Sequence, residues 1–335
     1  MLRAGIVGLG WWGRIITTTL SNSSRLRLVA AADVDPAAEK FANAHGLSFT
    51  TDTNSLLTNP DVDAVILCTP HTLHCDQIIR AAAAGKHVFC EKPLSLAHAD
   101  AMRAVAACNT AGVVLGVGHE RRFEPPTLDL RDAVDAGELG TLLQIEANFS
   151  QDKFLSLPAD NWRLSEKDAP AGPMTATGIH LLDLGVSFLG RPVTVLARVA
   201  TLGSELRNGD TLAAMVTFAT GTNLMISAIL ATPFEGRFAV YGTRGWIEIR
   251  DKSHPENPTG WTMTRQIGAK DREFVDYPAS SGVRANLEAF AAAALGEGAY
   301  PMPQQQMIDN IAALEAIFKS AKSRTIVPVE RATGL

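Results

Sequence analysis

Six consecutive residues constrain this chain most: Gly8-Leu9-Gly10-Trp11-Trp12-Gly13. They follow a short apolar run, residues 2–7, that reads as a strand, and they open a helical stretch over 13–20. A second apolar run, 26–32, ends at Asp33, 20 residues after Gly13. Alone, G-x-G-x-x-G is a weak signal; between a strand and a helix, with an acid at that distance, it carries weight. Gly8 permits a tight turn, Gly10 lets a ligand approach the backbone, and Gly13 allows close helix–strand packing. The helix start favours an anionic group, here a pyrophosphate. A carboxylate at Asp33 accepts hydrogen bonds from ribose hydroxyls and repels a 2′-phosphate. The expected cofactor is therefore NAD, with NADP the lesser alternative through Arg14, Arg25 or Arg27. The competing reading is an ordinary strand–helix turn with a solvated Asp33. Trp11 and Trp12 flank the cofactor or pack on the sheet.

The alternation that starts there continues. Pro36 suits the first turn of a helix over 37–45, stopped by Gly46. Residues 63–68 read as a strand closed by Thr69-Pro70, 72–84 as a helix, and 87–90 as a strand. A helix over 96–111 and a strand over 113–117 complete the series. Apolar strands interleaved with helices predict a doubly wound parallel sheet covered on both faces, with ligands bound beyond its strands' carboxyl ends.

The remaining two thirds read differently. A helix near 125–136, a strand at 141–149, an irregular stretch to about 172 and a helical segment over 174–189 precede seven strands. These are 193–201, 211–219, 222–231, 237–242, 245–250, 261–267 and 273–277, with hairpin signals at Thr220-Gly221 and Thr243-Arg244-Gly245. Two helices, 284–295 and 304–320, close the chain. The expectation is an α+β domain with a largely antiparallel sheet over 121–335, after a doubly wound domain over 1–120. A length of 335 residues suits two domains.

Bulk properties narrow the partners. With 46% hydrophobic and 19% charged residues, the chain is not a disordered one. A net charge of −5 and no long Lys/Arg run argue against nucleic acid. No run of 18 apolar residues spans a bilayer, and the first residues lack a signal-peptide h-region. Cys68, Cys75, Cys90 and Cys108 form no CxxC pair. A reducing cytoplasm is expected, with no membrane, no metal and a small polar molecule as substrate.

Several further segments add to the glycine turn. They are Thr69-Pro70 with His74, Ala84-Gly85-Lys86-His87-Val88 leading to Glu91-Lys92-Pro93, Arg122-Phe123, Gly137-Glu138-Leu139-Gly140, and Gly178-Ile179-His180 with Asp183. With Gly5-Ile6-Val7-Gly8-Leu9-Gly10, in this order, they make the chain resemble the Gfo/Idh/MocA family of oxidoreductases (glucose–fructose oxidoreductase, inositol dehydrogenase and relatives) from residue 3 to about 250. The resemblance implies a nicotinamide-binding Rossmann domain, a second domain with an open, mostly antiparallel sheet, and an active site between the two. It also implies a homodimer or homotetramer. Cofactor contacts then fall to Gly8, Gly10, Trp11, Trp12, Gly13, Asp33, Thr69, Pro70, His74, Glu91 and Lys92.

Oxidising a secondary alcohol takes a hydride acceptor and a base for the hydroxyl proton. By resemblance, Lys92 lies near the nicotinamide and contacts the reacting hydroxyl, and Pro93 holds a cis bond that aims it. His180, a residue type that exchanges protons near neutral pH, is by resemblance a substrate ligand and acid/base. Against these stand a surface lysine and a satisfied core histidine. Asp183 orients or caps. Many relatives carry an Asp four residues before this His, whereas here Ala176 stands, so proton transfer is left to Lys92, His180 or both. Thr175 or Thr177 can hydrogen-bond substrate but cannot replace a carboxylate base. Arg163, beside Trp162, and Arg122 are further substrate candidates, followed by His119, Lys153 and His71.

Three functions compete. The first is an NAD(H)-dependent dehydrogenase acting on a sugar, cyclitol or related cyclic diol. The second is a redox-neutral lyase or glycosidase with tightly bound NAD, which the missing carboxylate at Ala176 keeps open. The third is a non-catalytic dinucleotide sensor. A metal hydrolase lacks a ligand set at recognisable spacing.

Overall fold

The computed structural model describes residues 1–331. In the first part of the chain the elements are β1 (Leu2–Val7), α1 (Trp11–Leu20), β2 (Leu26–Ala32), α2 (Glu39–Ala44), β3 (Ser48–Thr50), α3 (Thr53–Thr58) and β4 (Ala64–Leu67). They continue with α4 (His74–Ala83), β5 (His87–Cys90), α5 (His98–Ala111) and β6 (Leu115–Val117). All six strands are parallel and lie in the order β3-β2-β1-β4-β5-β6. The strand order reverses between β1 and β4, so the turns after these two strands flank the switch point where doubly wound sheets bind ligands. The strands read as unbroken apolar runs because both faces are covered; β4 is buried at every position.

The second part comprises α6 (Pro125–Asp135), β7 (Leu142–Ser150), a π-helical turn over Met174–Gly178 running into α7 (Ile179–Leu189), and β8 (Pro192–Ala200). Then come β9 (Thr211–Phe218), β10 (Asn223–Ile229), β11 (Glu235–Gly242), β12 (Gly245–Asp251), β13 (Trp261–Ile267) and β14 (Glu273–Tyr277). The chain closes with α8 (Gly282–Ala294), α9 (Gln304–Ser323) and the short β15 (Val327–Pro328). The second sheet has nine strands in the order β14-β13-β12-β11-β7-β10-β9-β8-β15. Its hairpins are antiparallel, as their short turns require, but β7 and β10 pair in parallel at the centre. Alternate residues of β7, Ile145, Ala147 and Phe149, are buried, which is the period-2 signature of a sheet with one covered face.

Two compact units result. Among the described residues, one comprises Met1–Glu120 with Ser281–Ile308, the other Arg121–Ser280 with residues 309–331. The expectation of one uninterrupted domain over 121–335 is thereby corrected: α8 packs with the first unit. Leu287, Phe290 and Ala291 join the core cluster of β1, β2 and β4. The Phe290 ring meets Phe89 edge-on at 5.5 Å. Edge strand β6 has polar groups to satisfy; Asn286 Nδ2 and the Tyr300 hydroxyl both donate to the Val117 carbonyl, at 2.9 and 3.1 Å.

Smaller departures are local. The helix expected over 37–45 is a 3-10 turn at Pro36–Ala38 followed by α2, with Asp35 accepting from the Ala37 N–H. β3, α3 and β15 were not anticipated. Among the described residues no helix is long and apolar enough to cross a membrane, and no three His, Cys, Asp or Glu side chains gather in a metal-holding group.

Candidate active site

The glycine turn between β1 and α1 is built by sterics. Gly8 has φ +93°, and a Cβ there would lie 2.7 Å from the Cys68 carbonyl oxygen. A Cβ on Gly13 would lie 1.9 Å from the Gly8 oxygen, so strand and helix close to a distance only glycine allows. Gly10 faces the other way: a Cβ there would meet nothing within 4 Å. Gly10 is also the N-cap of α1, and no side chain caps the helix start. Open space over an uncapped helix N-terminus fits a phosphate.

Asp33, just past β2, turns its carboxylate back onto this loop. One oxygen accepts from the Leu9 N–H at 2.5 Å and the other from the Asp35 N–H at 2.9 Å. Each oxygen keeps lone pairs for a ribose hydroxyl. Of the cations considered for a 2′-phosphate, Arg14 donates to the Leu9 carbonyl and lies 4.9 Å from the Phe41 ring, while Arg25 pairs with Glu297. Trp12 packs against the first unit's core, and Trp11 stays exposed.

The turns after β4 and β5 carry the next group. Thr69 Oγ1 donates to Gln77 Oε1 at 2.5 Å. Lys92 is half-buried, and its peptide bond to Pro93 is cis. Glu91 is buried, accepts the Lys92 N–H at 3.2 Å, and has its acidity weakened to a pKa of about 7. Burial is the main cause and the neighbouring Glu120 charge the second; Trp12 and Lys92 oppose them. Gly118 makes room for this carboxyl, since a Cβ there would sit 2.5 Å from Glu91 Oε1. Neither Glu120 nor Gly118 was singled out from sequence, although both adjoin the candidate His119. His74, read as a cofactor contact, is fully buried with both ring nitrogens against main-chain carbonyls.

His71 and His119, the weaker candidates of this unit, are both buried, and the other candidates lie in the second unit. The π-helical turn brings a run of buried residues to the start of α7, where His180 is its second residue. Such turns recur at functional sites. Thr175 Oγ1 donates to the Gly172 carbonyl at 3.3 Å and Thr177 Oγ1 to the Pro173 carbonyl at 3.2 Å. The Thr177 hydrogen, assigned to substrate from sequence, is thus spent on backbone. Ala176 packs against Phe154, Leu206 and Leu230. One turn beyond His180, Asp183 receives the Arg122 fork, with Nε at 2.6 Å and Nη2 at 2.7 Å. This pairing engages donors that the sequence reading gives to substrate. Arg163 lies with its guanidinium 4.4 Å from the Trp162 ring.

Phe149 is a hub that sequence did not reveal. Its ring lies 5.9 Å from His180 and 5.8 Å from His254, with the Arg121 guanidinium 4.4 Å away. Arg121 pairs with Asp251 at 3.0 Å, and the Trp261 indole donates to the same carboxylate at 2.8 Å. Lys153, a weaker candidate, pairs with Glu256 at 2.7 Å. Arg121 sits next to the flagged Arg122, but His254 stands in a polar loop with no pattern to mark it.

Residues 2–119 match the family described as an oxidoreductase family with an NAD-binding Rossmann fold, and residues 127–248 match the GFO/IDH/MocA C-terminal domain. The chain belongs to the Gfo/Idh/MocA family. Within this oxidoreductase family it is 32% identical over 263 residues to inositol 2-dehydrogenase from Rhizobium meliloti (strain 1021), covering 75% of this chain and 76% of that protein. It is 29% identical over 338 residues to 1,5-anhydro-D-fructose reductase from Ensifer adhaerens, covering 97% and 99%. The crystal structure of aldose–aldose oxidoreductase from Caulobacter crescentus, complexed with glycerol, superimposes with a TM-score of 0.87 at 26% identity, over 98% of this chain and 99% of that one.

Proposed function

We propose that this protein is an NAD(H)-dependent dehydrogenase that oxidises a secondary hydroxyl of a sugar, cyclitol or related cyclic diol, or reduces the ketone, with Lys92 and His180 handling the proton. The observation that carries this reading is the placing of Lys92 on the carboxyl edge of the same parallel sheet as the open glycine turn, beside a buried Glu91. Inositol 2-dehydrogenase and 1,5-anhydro-D-fructose reductase, by their names, act on cyclic polyols or their relatives, which supports the substrate class. NAD over NADP is supported by Asp33, whose charge repels a 2′-phosphate, and by Val34, 88% exposed, which offers no cation beside it.

Gly8, Gly10, Gly13 and the α1 N-terminus would hold the pyrophosphate, and Asp33 the adenosine ribose. When bound, the nicotinamide supplies the acceptor or donor of hydride. Lys92 binds the reacting hydroxyl and takes or returns its proton; a general base of this kind contributes about 10²–10⁴-fold. His180 provides a second donor or acceptor, an imidazole, held in place by Phe149 and by a helix that the Arg122–Asp183 pair fixes.

The test is turnover of a panel of polyols, keto-sugars and dihydrodiols with NAD and with NADP, followed by nicotinamide absorbance. NAD-dependent turnover is expected, and Lys92→Ala should lose about 10²–10⁴-fold in kcat while dinucleotide affinity is kept. Loss of dinucleotide binding with turnover retained would remove Lys92 from this role. The apolar setting of Ala176 favours one second reading, a redox-neutral reaction with retained NAD. Product formed without added cofactor and without net reduction identifies it.

A further inference from the structure

His74 is the first residue of α4 and has no exposed surface (0%). Its ring joins two separate turns. Nδ1 lies 2.7 Å from the Pro93 carbonyl oxygen and Nε2 lies 3.0 Å from the Thr69 carbonyl oxygen. Thr69 follows β4 and Pro93 follows β5, neighbouring strands aligned with Leu67 opposite Cys90. The same helix holds Thr69 a second time, through Gln77. The imidazole therefore spans two turns at the carboxyl edge of the sheet, and one of them carries Lys92.

Core packing alone does not call for this arrangement. A neutral imidazole has one donor and one acceptor, yet both of its neighbours are acceptors. Only the imidazolium donates to both, and burial opposes that charge; burial outweighs the two carbonyls and lowers the basicity of His74. An apolar side chain would fill the space without this mismatch, but it would hold neither turn by a hydrogen bond.

We propose that His74 is a positioning residue: its buried ring donates to one of the Pro93 and Thr69 carbonyls and packs against the other, and so locks the Lys92 turn to the neighbouring dinucleotide-facing turn. The effect on turnover rests on the dehydrogenase reading; the brace itself does not.

The test compares wild type with His74→Ala and His74→Gln by kcat, KM, dinucleotide affinity, melting temperature and amide hydrogen exchange. The Lys92 N–H, which donates to Glu91, and the Leu94 N–H should exchange faster in both variants while the rest of the sheet stays protected. In His74→Ala, kcat should fall about 100-fold, as expected for a displaced catalytic group, with dinucleotide affinity little changed. Added imidazole should restore kcat, whereas thiophene, a ring of similar size with no N–H, should not. If His74→Ala does not fold, His74→Gln carries the same exchange and kcat measurements, with a smaller loss expected. Unchanged exchange at Lys92 and Leu94, rescue by thiophene equal to that by imidazole, or wild-type kcat in the variants would each overturn the brace. A wild-type protein inactive on every alcohol and ketone overturns the dehydrogenase reading instead, and the exchange measurement then decides the brace alone.

Discussion

Arg122 and Asp183 are 61 residues apart in sequence and form a two-pronged ion pair with almost no solvent contact. Removing one partner of such a pair leaves an uncompensated buried charge. Asp183→Ala should therefore destabilise the second unit by about 3–5 kcal/mol, measured by denaturant unfolding; a loss of activity without a stability change would reassign Asp183 to the chemistry. Glu91 makes a prediction of opposite character. Its folded pKa of about 7 stands above the ordinary 4.5, so the fold holds its proton more tightly than the unfolded chain does. The stability it contributes is present below about 4.5 and is lost as pH rises through about 7. Glu91→Gln should melt higher than wild type in alkaline buffer and equally in acid, by calorimetry across that range; an unchanged gap would show that Glu91 is ionised throughout. At this scale the sequence shows what a local motif encodes, such as the glycine turn and Glu91-Lys92-Pro93. It does not show Arg122 meeting Asp183 or Phe149 meeting His254, because those contacts depend on how distant strands and helices assemble.

Elements were legible in proportion to their length and periodicity. The long strands and helices appear within a few residues of their expected bounds, because apolar spacing registers over several turns. The three-residue β3 and six-residue α3 are too short for that, although Asp52 caps α3 by accepting the Asn54 N–H. The π-helical turn reads as plain helix in sequence, since widening a turn by one residue leaves the apolar pattern nearly intact. The parallel pairing of β7 with β10 was likewise hidden, because turn signals report only sequential neighbours. The strand–helix contact at Gly13 is where an element-scale prediction is sharpest. Gly13→Ala places a methyl group against the Gly8 carbonyl, which pushes α1 off β1. A stability loss of at least about 1–3 kcal/mol, together with weakened dinucleotide binding by titration calorimetry, is expected; wild-type affinity would mean the helix can shift without consequence.

For the whole molecule, the order of elements along the chain is not the order of the units. The first sheet lies within residues 2–117, but its cover includes α8, more than 160 residues downstream. No sequence signal marks this, since α8 is amphipathic and its apolar stripe names no partner. Phe290→Ala removes a fully buried ring that rests on Phe89, and about 3–5 kcal/mol should be lost. Hydrogen exchange should place the loss in β5 and β6 as well as in α8; a loss confined to α8 would show that the helix is an accessory. Because Asn286 and Tyr300 finish the polar edge at Val117, the nucleotide-binding half is incomplete when it first leaves the ribosome. It waits with an open strand edge through the synthesis of residues 121–280, so slow translation there lengthens the interval in which nascent chains can associate with one another.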